Sequence, residues 1–85
     1  MKFLVDVVIK RKQGVADPEG NTIKEALERL GYDSIREVGT SRLFSIQIEV
    51  DSPVKAKEIA EQVAEKVLAN PVIEKFSILN IKEII

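Results

Sequence analysis

The sequence predicts one α+β domain of order β-α-β-β-α-β, and three observations carry that reading. Residues 2–10, "KFLVDVVIK", alternate with Phe3, Val5, Val7 and Ile9 on one side, which is the period of a strand. Two later stretches place apolar residues at helical spacing: Ile23, Ala26, Leu27 and Leu30, then Ala56, Ile59, Ala60, Val63, Ala64, Val67 and Leu68. Between and after them run further strand-like segments, with turn residues at the joints. A chain of 85 residues suits a single domain over 1–85, large enough for a modest core.

The other side of the first strand carries Leu4 and Val8 around Asp6, so it too is partly apolar. After "RKQGVAD" the first helix has two possible starts. Asp17 can cap it with Pro18 first inside, or Asn21 and Thr22 can supply a later start. Thr22 and Glu25 match a capping box, which supports the later one. Gly31 closes that helix as a C-cap, with Tyr32 placed for the apolar contact that follows such a cap. From Ser34 to Val50 the pattern predicts two strands joined by a turn over Gly39 to Ser41. The second of them has Phe44, Ile46, Ile48 and Val50 on one face. Ser52 then caps a second helix that opens on Pro53. Pro71 ends it by disfavouring a helical Asn70. The last strand, "VIEKFSILNIKEII", alternates imperfectly and suggests a bulge or a bend.

This order is the split βαβ, ferredoxin-like arrangement, a four-stranded antiparallel sheet with both helices on one face. Its second sheet face is bare. Leu4, Val8 and Leu43, with some of Leu79, Ile81 and Ile85, are expected to point there. So much aliphatic surface predicts association into a dimer or a higher oligomer.

Composition narrows the function. Thirteen basic and fourteen acidic residues give a net charge of −1, so no general attraction to nucleic acid or membrane is implied. An RNA reader on this fold needs aromatics on the open face of its central strands, whereas Phe3 and Phe44 fall on the core alternation. The apolar runs are too short to span a bilayer, and Met1-Lys2 leads straight into a strand, without room for a signal peptide. Absence of cysteine fits a reducing cytoplasm. Histidine, cysteine and tryptophan are all missing, which removes the usual proton shuttle, zinc ligands and nucleophile pairs. No catalytic, cofactor-binding or metal-binding residue is therefore assigned.

The segment "ADPEGNTI" is a poor phosphate cradle, because it has one glycine, no Gly-Lys-Ser/Thr and two carboxylates, Asp17 and Glu19. Gly20 inside a first turn weakens a helix, and close approach of another backbone or a ligand is a reason to keep it. The run Lys10-Arg11-Lys12 reads as a solvated loop or as a contact to an acidic partner. Arg36 and Arg42 flank the expected hairpin turn and suit either solubility or a carboxylate or phosphate contact. Glu58, Glu61 and Glu65 interleave with lysines as a solvated helix face does.

Together, "GVADPEGNTIKEALERLGY" and "EKVLANPVIEKFSI" resemble the PurS family, the small subunit of phosphoribosylformylglycinamidine synthase. The first block matches the family pattern at Val15, Asp17, Pro18, Gly20, Ile23, Ala26, Leu27, Leu30, Gly31 and Tyr32, the second at Leu68 to Glu74. The likeness covers nearly the whole chain. It departs at "IREVGTSRLFSI", where the family tends to show V-R-x-G-K. The registers of Arg36 and Arg42 differ from those basic residues, so no role carries over to them.

The resemblance implies a non-catalytic subunit of an ATP- and Mg-dependent complex in purine biosynthesis. It would bridge a glutaminase subunit and a synthetase subunit and help ammonia pass between them, as a homodimer or tetramer in the cytoplasm. Interface or architectural roles are expected for Asp17, Pro18, Gly20, Arg36, Arg42, Asn70, Pro71 and Glu74, with Gly20 lying against a partner backbone. Two other classes compete. An ACT-like domain shares the element order and binds amino acids at dimer interfaces, usually beside an enzyme domain. A small enzyme using Asp, Glu and Lys is weakened by the missing histidine.

Overall fold

The computed structural model describes residues 1–84. Its strands are β1 (Lys2–Arg11), β2 (Ser41–Glu49) and β3 (Glu74–Ile84), and its α-helices are α1 (Pro18–Arg29) and α2 (Pro53–Val63). The antiparallel sheet has three strands in the order β2-β1-β3, not the four expected. The segment read as an additional strand, from Ser34 up to the turn at Gly39, forms no ladder. Its residues turn and then run extended along α1, where Asp17 takes up the Thr40 N–H that a hairpin would otherwise employ.

The core lies between the sheet and α2. Phe3, Val5, Val7 and Ile9 from β1, Ile48 from β2 and Ala56, Ala60 and Ala64 from the helix are all buried. Small residues every fourth position let the helix backbone approach the strands closely. Burying side chains such as Val5, Val7 and Ile9 contributes about 1.5–3 kcal/mol each. The Ser52 hydroxyl caps α2 by accepting from the Lys55 N–H at 3.2 Å, with Pro53 at the first position as expected. Past Val63 the helix widens into a π turn, Ala64–Leu68, in which the Ala69 N–H donates to the Ala64 carbonyl at 2.8 Å. This added residue shifts the helical phase. Leu68 and Ala69 turn inward against the core, while Val67, expected on the stripe, is 75% exposed.

The imperfect alternation of β3 is a bulge. Val7 pairs with Ile78 and Asp6 with Asn80, so Leu79 is the extra residue. The insertion returns Ile81, opposite Val5, to the same side as Phe76 and Ile78. Ile81 therefore packs against the core, and its assignment to the free face is corrected. Leu4, Val8 and Leu43 alternate onto the face away from α2, although neighbours cover Val8. Leu79 projects at the bulge and is exposed. Ile85 lies outside the described residues.

The largest departure from the ferredoxin-like expectation is α1. Among the described residues it makes at most marginal contact with any strand or with α2. The chain is correspondingly elongated, 51 × 29 × 14 Å. Its radius of gyration is 16.4 Å, against about 12 Å for a compact domain of this length. Helix α1 and residues 30–40 form an arm that leaves the sheet and returns to it.

Candidate interaction site

Asp17 organises the base of this arm. It is the N-cap of α1, so the helix starts early, at Pro18, and the later start favoured by the capping-box pattern is corrected. The Thr22 hydroxyl instead donates to the Pro18 carbonyl at 3.0 Å, inside the helix. One oxygen of the Asp17 carboxylate accepts from the Gly20 N–H at 3.0 Å and the other from the Thr40 N–H at 2.7 Å. The Thr40 hydroxyl donates to the same carboxylate at 2.8 Å. Arg11, at the end of β1, donates to the Thr40 Oγ1 at 2.9 Å and lies 3.4 Å from the Asp17 carboxylate. Thr40 N–H above all, then the Gly20 N–H, favour the ionised form and bring the Asp17 pKa from 3.8 down to about 2.

Gly20 closes the same joint. A Cβ there would run into the Val38 carbonyl oxygen and crowd the Asp17 carboxylate. Close backbone approach is thus a reason for this glycine, and the backbone it meets is that of Val38 in its own chain. At the far end of α1, Gly31 adopts φ +92°. Its N–H donates to the Glu28 carbonyl and that of Tyr32 to Leu27, the paired bonds of a Schellman cap. Tyr32 itself stays 55% exposed.

A second knot joins four residues of the sequence reading. Arg42 reaches across β1 to chelate the Glu74 carboxylate at 3.0 and 3.1 Å. Its guanidinium also lies 5.6 Å from the centre of the Phe44 ring. Glu74 accepts from the Asn70 N–H at 2.8 Å, and this bond first, with Arg42 adding to it, holds its carboxyl below the usual range. The Asn70 side chain accepts from the Val72 N–H at 3.1 Å across Pro71, forming the corner between the helix and β3. Lys12 donates to the Pro71 carbonyl, tying this corner to the end of β1.

Between the arm base and the end of β1 opens a cleft of ≈ 710 Å³ lined by Lys10, Arg11, Lys12, Asn21, Glu37 and Thr40 among others. The structure thus gathers Asp17, Pro18 and Gly20 at one joint and Arg42, Asn70, Pro71 and Glu74 at another. Arg36 joins neither and lies by Lys24, Glu28 and Asp33 on the arm. Sequence reasoning missed Thr40 and Val38, which it placed at a hairpin turn and on its strand. Their partners lie 23 and 18 positions away in the chain, and no local pattern marks such a pairing.

These polar groups tie separate segments of the chain together, and apolar side chains stay exposed beside them. Ile23, Leu30 and Tyr32 on the arm and Leu43 and Leu79 on the sheet are all exposed. Among the described residues no helix is long and apolar enough to cross a membrane, and no three acidic side chains gather as a metal site would require.

Fold and site together define a small α+β module with a projecting arm tied at its base. Residues 4–82 match the PurS family, described as phosphoribosylformylglycinamidine (FGAM) synthase. The chain is 45% identical over 77 residues to the phosphoribosylformylglycinamidine synthase subunit PurS of Archaeoglobus fulgidus, covering 91% of this chain and 96% of that one. It is similar in structure to Methanocaldococcus jannaschii PurS, a subunit of formylglycinamide ribonucleotide amidotransferase in the purine biosynthetic pathway. The TM-score is 0.83 at 40% identity, over 96% of this chain and 98% of that one. Thermus thermophilus PurS superposes with TM-score 0.89 at 27% identity, over 99% of each chain. The chain belongs to the PurS family.

Proposed function

We propose that this chain is the small, non-catalytic subunit of an FGAM synthase complex in purine biosynthesis. In that role it bridges a glutaminase subunit and an ATP- and Mg-dependent synthetase subunit in the cytoplasm. The observation that carries the reading is the match of nearly the whole chain to PurS proteins, joined to a surface built for contact. The exposed apolar arm and sheet face require cover.

The mechanism asks positioning of this subunit. Glutamine hydrolysis releases ammonia at one site and amidine formation consumes it at another. Between them ammonia must remain unprotonated and away from bulk solvent. A subunit that seals a joint between two enzymes excludes water from that path. The Asp17 joint and the Arg42–Glu74 corner fix the relative placement of arm, sheet and α2, and Arg36 on the arm offers a charged contact to a partner. The subunit works as a homodimer or higher oligomer, because single chains leave Ile23, Leu30 and Leu43 in water.

The test is capture of the tagged chain from its host's lysate with glutamine and Mg-ADP present. Recovery of a glutaminase and an ATP-dependent amidine synthetase is expected. Recovery of neither overturns the bridging role.

A further inference from the structure

We infer that the corner where the end of β1 meets the start of β3 is a docking face for an acidic surface of a partner subunit, gripped by Lys10, Lys12 and Lys75 around the aliphatic side chains of Val72 and Ile73. The inference rests on the bridging role proposed above and names the face that serves it.

The register of the sheet brings like charges together here. Lys10 of β1 pairs directly with Lys75 of β3, and both are exposed. Side chains opposed in this way lie about 4.5–5.5 Å apart at their Cβ atoms, and like charges there destabilise a sheet. Among the described residues the ion pairs are Arg11–Asp17, Lys24–Glu28 and Arg42–Glu74, so Lys10, Lys12 and Lys75 have no acidic partner there. Lys12 donates to the Pro71 carbonyl, which leaves its charge in place. On this face of β1 the next acid is Asp6, about 13 Å along the strand, and it already accepts from the Ser45 hydroxyl. Glu65 borders the groove beside Lys12 and Lys75 without pairing with either. The net charge of the chain is −1, so the excess of positive charge is local to this corner.

Apolar surface lies at the same corner. Val72 is 78% and Ile73 39% exposed. The Lys12 N–H donates to the Ile73 carbonyl at 2.8 Å, so the aliphatic and basic residues are contiguous. The corner is also held still. The Asn70 carbonyl accepts from the N–H groups of Ile73 and Glu74, and its side chain accepts from the Val72 N–H. A face fixed in this way loses little freedom on binding.

These features select the occupant. Ammonium groups around exposed aliphatic side chains match carboxylates set around an apolar patch on another protein. Such complementarity steers partners together and fixes their register. Phosphate or nucleic acid would satisfy the lysines but leave Val72 and Ile73 in water. A second copy meeting this corner with its own would set Lys10, Lys12 and Lys75 against their own counterparts, because a two-fold contact pairs like patch with like.

The test immobilises the chain and titrates it with purified glutaminase and synthetase subunits, glutamine and Mg-ADP present, over a range of salt concentrations. Wild type is expected to bind a subunit with an affinity that falls as salt rises. Lys10→Glu with Lys75→Glu should weaken that binding about ten-fold or more and flatten its salt dependence. Val72→Asp should weaken it as well. Lys55→Glu with Lys57→Glu, at exposed positions of α2, should leave it unchanged, and an equal loss there overturns the choice of face. Equal affinity of the wild type and the Lys10→Glu, Lys75→Glu variant overturns the docking face alone. Failure of the wild type to bind either subunit overturns the bridging role with it. Lys75→Glu alone separates binding from structure, since it sets opposite charges across the pair with Lys10. The melting temperature should rise while partner affinity falls; a rise with no loss of affinity overturns the inference. Sedimentation of the isolated Lys10→Glu, Lys75→Glu variant should match the wild type, and a lower oligomeric state assigns the corner to another copy and overturns it.

Discussion

Replacing Gly20 by alanine tests the arm joint. Helix propensity alone favours alanine over glycine by about 1 kcal/mol. The structure opposes that gain, because the new Cβ falls on the Val38 carbonyl and crowds the Asp17 carboxylate. Neither can yield easily. The carbonyl is backbone, and the carboxylate is held by Gly20 and Thr40. Forcing a methyl group into such a contact costs about 1–3 kcal/mol. The expected outcome is a net loss of up to about 2 kcal/mol, and a melting temperature lower by about 4–8 °C per kcal/mol lost. Gly20→Val should lose more. Gly39→Ala is the control, since nothing lies within 4 Å of its Cβ and its φ is not positive. It should hold or gain about 0.4–1 kcal/mol through the unfolded state. Urea unfolding at one fixed protein concentration measures all three, because self-association would couple stability to concentration. A Gly20→Ala protein as stable as Gly39→Ala would refute the close-approach argument.

Other outcomes follow from the same contacts. Ile9→Ala, at a side chain 1% exposed between sheet and α2, should cost about 2–5 kcal/mol in urea unfolding. Ser52→Ala removes the α2 cap and should cost about 1 kcal/mol, recovered in part by Ser52→Asp. Acid should loosen the arm joint. Asp17 is held at about 2 when folded against 3.8 ordinarily, so its contribution is complete above the ordinary value and disappears as pH falls toward 2. Glu74 acts in the same direction. Melting temperature against pH should therefore fall more steeply below pH 4 in the wild type than in Asp17→Asn, and parallel curves would contradict the assignment.

Much of the molecule was legible in the sequence for identifiable reasons. Strand β1, the Ser52-Pro53 start of α2, the Gly31 cap and the irregularity in β3 are all set by local chemistry, and all are present. What failed was the part that local pattern does not control. "SIREVGT" has the composition of a strand, but Asp17 engages Thr40 and Gly20 admits Val38, so the segment follows α1 and the sheet stops at three strands. The spacing of Ile23, Ala26, Leu27 and Leu30 correctly marked a helix, which was expected to find its cover on the chain's own sheet. Stripe and spacing say nothing of which molecule provides it. Ile81 was misplaced because one bulged residue, Leu79, inverts the alternation that assigns faces. At the candidate site, Asp17, Gly20, Arg42, Asn70 and Glu74 were singled out individually, but their grouping into two knots depends on contacts distant in sequence.

The proposed role of this chain is to join two enzymes without performing chemistry itself. It is tested most directly by reconstituting FGAM synthesis from purified glutaminase and synthetase subunits, with and without this chain. The account predicts that glutamine-dependent synthesis requires the chain, whereas ammonia-dependent synthesis by the synthetase alone proceeds without it. Full glutamine-dependent synthesis in its absence would contradict the account.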